Sequence, residues 1–214
     1  MKLVDRIRQA VFSGDLAPNQ RLIEADLCSQ FDASRSHIRN ALADLVSEGL
    51  VERVPNRGAR VRAITVEEAV EFTEVRMVVE GLCAAKAAAR VTAEQAEQLR
   101  AIGESMKAAV ASGDLLGYSN LNKQLHSLIR TISGQTAAGD IIERLRGNLV
   151  RHQVRLALRP GRASVSLPQH LAIIEAICGG HAERAESEMR AHLHSVIEAL
   201  AAQPANTDFN GVSE

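Results

Sequence analysis

The sequence predicts a mainly α protein: an N-terminal winged helix-turn-helix followed by a six-helix antiparallel bundle. Three observations carry that prediction. The 214 residues include 33 alanines, no Trp and only 2% aromatics, a composition that favours helices over a β-sandwich or barrel. Apolar residues recur at helical spacing along most of the chain. The main interruption is a pair of short extended pieces around Pro55-Asn56-Arg57-Gly58, the mark of a hairpin.

Leu3, Ile7, Ala10 and Val11 share one helical face, and Ser13-Gly14-Asp15 ends that helix. Pro18-Asn19 turns the chain before Leu22. A short helix is expected from Glu24 to Phe31, with Leu27 and Phe31 on one side. Ser34 offers an N-cap to a longer helix carrying Ile38, Ala41, Leu42 and Leu45, which stops at Gly49. Leu50–Val54 and Ala59–Arg62 form the hairpin, completing a DNA-binding-type domain over residues 1–63.

Residues 64–202 read as helices throughout. Thr65 with Glu68, and Thr92 with Gln95, are capping boxes that open helices over 66–90 and 93–111. Breaks at Ser112-Gly113-Asp114, Ser133-Gly134 and Pro160-Gly161 delimit helices over 115–133 and 137–158. Ser166 is expected to cap a helix to Cys178, and Gly179-Gly180 precedes a last helix over 181–201. Residues 203–214 are polar with Pro and Gly, and are expected to be a disordered tail.

Composition also excludes function classes. No stretch approaches the roughly 18–20 apolar residues of a membrane span, and the charged N-terminus is unlike a secretion signal. Three distant cysteines, Cys28, Cys83 and Cys178, make no disulfide framework and fit a reducing cytoplasm. The formal net charge of −1 is uninformative, but its distribution is not. Ala33–Arg62 holds six arginines (Arg35, Arg39, Arg53, Arg57, Arg60, Arg62) against Asp44, Glu48 and Glu52. A local basic cluster in a near-neutral chain suits double-stranded DNA; a solvated charged face is the plainer alternative.

Arg35 and Arg39 stand four apart, on one helix face near its start, where a recognition helix meets the major groove. Each can fork two hydrogen bonds to guanine O6 and N7, worth about 1–3 kcal/mol of discrimination, or serve only as a surface ion-pair partner. Ser34 and Ser36 suit phosphate contacts at the helix N-terminus. His37 is open between a base contact and plain exposure. Asn56, Arg57 and Gly58 at the wing tip can reach the minor groove or backbone, Gly58 permitting the tight turn.

The joint pattern resembles the GntR family of bacterial repressors, nearest its FadR-like branch. The residues that carry it are Leu16-Ala17-Pro18-Asn19-Gln20-Arg21-Leu22-Ile23-Glu24, Ser34-Arg35-Ser36-His37-Ile38-Arg39-Asn40-Ala41-Leu42, Glu48-Gly49-Leu50-Val51 and Arg57-Gly58. The chain departs from the family pattern at His37, where proline is common, at Asn40, where glutamate is common, and at Asn19, where glycine is usual. These departures bear on operator sequence rather than on fold.

Histidines mark the other end. Asn122 and His126 are i and i+4 on one face, which Tyr118 and Ile129 extend. His170 lies in line with Ile173, Ile174 and Ile177, and His192 with Ala185, Met189 and Val196, both apolar inward stripes. Three helices thus turn a histidine toward the bundle interior. Buried imidazoles need partners, and a divalent cation can satisfy three at once, although a hydrogen-bonded core histidine is the commoner case. His194 falls on the opposite face from His192, His181 opens a helix, and His152 has no supporting pattern; these three read as non-ligands.

Asn122…His126, His170-Leu171-Ala172-Ile173-Ile174-Glu175-Ala176-Ile177 and Ala185…Met189-Arg190-Ala191-His192-Leu193, with Arg76…Glu80, resemble the FCD effector-binding domain. Six helices suggest its shorter, VanR-like form. The resemblance implies a divalent metal, zinc or nickel, held by Asn122, His126, His170 and His192. That metal would in turn hold a small carboxylate effector. It also makes Arg76 the first candidate for an effector contact; Arg130, Arg151 and Arg155 are secondary candidates, for each of which a surface position is the plainer reading. Asn122 replaces the usual aspartate and Leu125 the usual phenylalanine. An amide oxygen is a weaker, neutral ligand, so metal retention weakens while the pull on an anion strengthens.

The expected function is a ligand-responsive repressor. A homodimer would read a near-palindromic operator, with a small organic acid bound in the C-terminal bundle releasing it. A regulator that senses metal alone is one rival; a zinc-dependent hydrolase is the other, against which stand the missing HExxH motif and the outward-facing Glu175 and Glu188.

Overall fold

The computed structural model describes residues 1–55, 58–157 and 159–202; within 146–155 it describes the side chains of Leu149 and His152 alone. Asn56 and Arg57 of the wing tip, the side chains of Arg151 and Arg155, and the 203–214 tail lie outside the described residues. The described residues form two compact units, one built on Met1–Thr65 and one beginning at Val66.

In the first unit, α1 (Leu3–Ser13) buries Ile7 and Ala10 and ends at Gly14, whose φ of +88° suits a residue without a Cβ. The short α2 (Glu24–Phe31) buries Leu27 and Phe31 and gives way at Asp32 in the left-handed region. Ser34 then caps α3 (Arg35–Ser47), which turns Ile38, Ala41, Leu42 and Leu45 inward. Ile7, Leu16, Leu27, Ile38, Leu45 and Val51 fill the core. The hairpin of β2 (Val51–Val54) and β3 (Gly58–Val61) is present, and Gly58 has φ +86°.

A third strand was not foreseen. β1 (Arg21–Leu22) pairs antiparallel with β3, Arg21 opposite Arg60 and Leu22 opposite Ala59, giving the order β1-β3-β2. Two residues carry no alternation to read; this strand exists because β3 offers it an edge. Just before it, Asn19 holds φ +64°, a conformation asparagine tolerates better than most side chains. That explains how the chain manages without the glycine usual at this position.

The second unit contains α4 (Val66–Ala88), α5 (Ala93–Ser112), α6 (Leu115–Ser133), α7 (Thr136–Ala157), α8 (Arg162–Cys178) and α9 (Ala182–Ala201). The Thr92–Gln95 capping box is formed in full. α4 lies along α9, α9 along α8, and α5 packs on both α6 and α8. Leu99, Met106, Leu125, Ile129, Ile173, Ile177 and Met189 make the core. Gly103 lets α5 approach α8 closely: a Cβ there would stand 3.1 Å from Ile174 and 3.2 Å from Leu171.

One helix start needs correction. Ser166 does not cap α8; it is buried inside it, and the helix opens a turn earlier at Arg162 with Pro168 in its interior. Burial of Ala163 and the bonds from Arg162 to Ser195 on α9 hold that extra turn against the missing N–H of the proline. Among the described residues, no helix is long and apolar enough to cross a membrane.

Candidate functional site

The N-terminal unit presents α3 as expected of a recognition helix. Ser34, Arg35, Ser36, His37 and Arg39 are all exposed around its first turns. The Ser34 hydroxyl accepts from the His37 N–H at 3.4 Å and lies 3.0 Å from the Ser36 hydroxyl, so part of its capacity goes to capping. Arg39 bonds through Nε to both carboxylate oxygens of Glu24, at 3.0 and 2.8 Å. That contact ties the start of α2 to α3 and orients the guanidinium outward. Of the wing residues, Gly58 is described and begins β3 opposite Val54. Arg60 pairs with Glu52 across the hairpin, so the positive charge of the cluster is partly answered.

In the helical unit, α6, α8 and α9 bring His126, His170 and His192 together. All three are buried, and their candidate donor nitrogens lie within 4.8 Å of one another. Ring centroids stand 4.3 Å apart for His170–His192, 5.6 Å for His126–His192 and 5.7 Å for His126–His170.

Each ring is held by its Nδ1. Tyr118 Oη lies 2.8 Å from Nδ1 of His170, Glu80 Oε2 2.5 Å from Nδ1 of His126, and Gln169 Oε1 3.0 Å from Nδ1 of His192. The nitrogen left to each ring for a metal is therefore Nε2. Carboxylate, amide and hydroxyl partners behind a histidine fix its tautomer and orientation, the usual arrangement at metal sites. Glu80 is itself anchored, because Arg76 donates to its Oε1 through Nε at 2.9 Å and Nη2 at 2.6 Å, all within the core.

Electrostatics hold His170 and His192 neutral. Burial pushes His170 well below its ordinary pKa, and the neighbouring His192, His126 and Arg162 push it further while Glu80 opposes. His192 is likewise depressed by burial, then by His126 and Arg162. Burial raises the Tyr118 phenol, so it stays protonated as a donor. Neutral imidazoles are the form that binds metal.

The residues present fit a divalent cation. Nε2 of His170 and Oδ1 of Asn122 are both buried with no hydrogen-bond partner among the described residues, the kind of omission a metal repairs. Zinc at about 2.0–2.1 Å from each nitrogen needs them roughly 3.3 Å apart in a tetrahedron, so modest closure of the three rings suffices.

Other residues sort more simply. His194 is 64% exposed, near Glu198, and His181 sits at the N-cap of α9. His152 is buried, although the sequence offered no pattern for it. Arg130 is not the surface residue expected: its side chain is 10% exposed, 3.6 Å from Glu143. Arg76 lies in the core bonded to Glu80, one residue removed from His126. Sequence reasoning did not assign roles to Glu80, Gln169 and Arg162. Glu80 alone left a trace there, four residues after Arg76.

Comparison with known proteins agrees with this division. Residues 71–195 match the FCD domain, and residues 1–61 match the bacterial regulatory proteins of the gntR family. The chain belongs to the GntR family. The HTH-type transcriptional repressor RspR of Escherichia coli K12 is 26% identical over 185 residues, covering 86% of this chain and 81% of that protein. The HTH-type transcriptional regulator YdhC of Bacillus subtilis, itself uncharacterized, is 24% identical over 203 residues, covering 94% and 90%. The solved structure of E. coli McbR/YncC shares the fold, with a TM-score of 0.76 at 21% identity over 93% of this chain and 95% of that one. This GntR-family chain is accordingly a DNA-binding transcriptional regulator, and its relatives are regulators rather than enzymes.

Proposed function

We propose that this regulator represses transcription as a homodimer and releases its operator when a small carboxylate binds at a divalent metal in the FCD unit. The observation that carries the reading is the convergence of three buried imidazoles, with Nε2 of His170 and Oδ1 of Asn122 buried beside no partner among the described residues. Zinc and nickel both suit imidazole ligands. Such a metal would supply a Lewis-acidic anchor for an anion.

The protein's own residues set the charge at that anchor. Asn122 and three imidazoles add none, and the negative charge of Glu80 is answered by Arg76. The cation therefore keeps its full attraction for an anionic ligand. On α4, Val75, Val78 and Leu82 are 48%, 50% and 42% exposed at helical spacing, an apolar stripe that supports self-association. A dimer in turn matches two recognition helices to a near-palindromic operator.

A second reading has one observation in its favour. Asn122 and the three histidines already number four ligands, enough to close a tetrahedral site with metal alone as the signal.

Thermal unfolding of the purified chain against mono- and dicarboxylates, with and without zinc or nickel, separates the two. A ligand at about a hundred times its dissociation constant adds roughly 2.7 kcal/mol, a clear shift. Acid sensing requires a shift that needs metal and acid together. A response complete with metal alone favours the second reading, and no response to any combination refutes both.

A further inference from the structure

Arg162, the first residue of α8, carries a half-used guanidinium. Its Nη1 donates to the carbonyl oxygen of Ser195 at 3.2 Å and to the Ser195 hydroxyl at 3.0 Å. Its Nη2 is shut off from solvent and has no hydrogen-bond partner among the described residues. Ser195 stands three residues after His192 on α9, so Arg162 bonds to that helix one turn along from the His192 position. The charge is felt there: it acts on Tyr118, His170 and His192. The carboxylate that acts on Arg162, Glu198, is 69% exposed and lies 3.7 Å from His194.

Two other inward-facing arginines differ. Arg76 spends its Nε and Nη2 on Glu80. Arg130 also has a buried nitrogen without a partner, but its charge acts on Cys83 rather than on His170 or His192. A half-buried guanidinium with one nitrogen bonded and the other shut off from solvent is a receptor for a carboxylate, positioned by a planar fork that a lysine lacks.

We propose that Arg162 Nη2 receives the second carboxylate of a dicarboxylate effector whose first carboxylate is held at the His126–His170–His192 site. This inference rests on the metal-anchored acid sensor described above and narrows its ligand to short dicarboxylates, of which succinate and glutarate are the probes. Arg162 is then the specificity-determining residue, because a monocarboxylate leaves Nη2 as unpaired as before.

Calorimetric titration of the zinc-loaded full chain with succinate, glutarate and monomethyl succinate tests it. One diacid is expected to bind at least about tenfold tighter than the monoester, since a charge-assisted bond to a half-buried arginine is lost in the ester. Arg162→Gln should erase that preference without weakening zinc binding, since it removes a positive charge that acts on His170 and His192, and Arg162→Lys should restore the preference only in part. Equal affinity for diacid and monoester in the wild-type chain overturns the inference without any variant, whether or not Arg162→Gln folds. A preference that survives in Arg162→Gln overturns it as well. If zinc binds and none of the three acids does, the acid-sensor reading falls along with it. If acids bind without discrimination, that reading stands and only the role of Arg162 is lost.

Discussion

Glu80 is the pivot between the buried arginine and the histidine site, and its replacement tests both sides of it. The residue is 2% exposed, bonded through Oε1 to Arg76 and through Oε2 to His126. Glu80→Gln keeps the shape but leaves Arg76 a buried cation with no counter-charge. Removing one member of such a pair costs about 3–5 kcal/mol, far more than the 0–1 kcal/mol of a surface bridge. The same change weakens the hydrogen bond behind His126 and should lower zinc affinity at least about tenfold. Adding Arg76→Met to Glu80→Gln removes the stranded charge, so most of the stability should return while the zinc deficit remains. Urea unfolding in chelator measures the first quantity, and competition for zinc against a colorimetric chelator measures the second. A Glu80→Gln penalty below about 1 kcal/mol would refute the buried-pair argument. Recovery of zinc affinity together with stability in the double variant would show that Glu80 serves the fold and not the ligand.

Three further outcomes follow from the geometry. His170 and His192 have folded pKa values below the unfolded 6.5, so the unfolded state binds protons first and metal-free stability should fall as pH drops through about 6.5. With both rings held neutral, that loss sums to about 2.7 kcal/mol between pH 7.5 and 5.5; an unchanged gap in urea stability between wild type and His170→Gln/His192→Gln over that range contradicts it. Asn122→Asp adds a negative ligand, and calorimetry should show tighter zinc binding with weaker carboxylate binding; a rise in both would refute the charge argument. Arg35→Ala should cost about 1–3 kcal/mol of operator affinity and leave acid-induced thermal shifts intact, whereas loss of both would contradict independent roles for α3 and the FCD unit.

What the sequence made legible was local. The Ser34 cap and the inward spacing of Ile38, Ala41, Leu42 and Leu45 define α3 without any distant partner. The inward direction of His126, His170 and His192 follows from helical period alone, and their burial agrees with it. What stayed hidden depends on residues far apart in the chain. β1 is a strand only because Ala59 and Arg60 lie beside it. The start of α8 was misplaced because Pro168 and Ser166 look like a helix beginning, while the contact from Arg162 to Ser195 crosses 33 positions. The partners of the histidines show the same limit: Glu80 is 46 residues from His126 and Tyr118 is 52 from His170. Arg130 looked like a surface arginine for want of any local sign of its burial.

The central claim is that an anion held at the histidine site changes how tightly the N-terminal unit grips DNA. Fluorescence anisotropy of the full chain on an operator duplex selected from random sequence, with zinc and carboxylate added singly and together, measures that coupling. The account predicts that zinc with the acid shifts operator affinity by about 5–150-fold, the range of typical allosteric couplings. His170→Ala should lose the shift while keeping the affinity seen without effector. Operator affinity indifferent to every combination, or a full response retained in His170→Ala, would contradict the account.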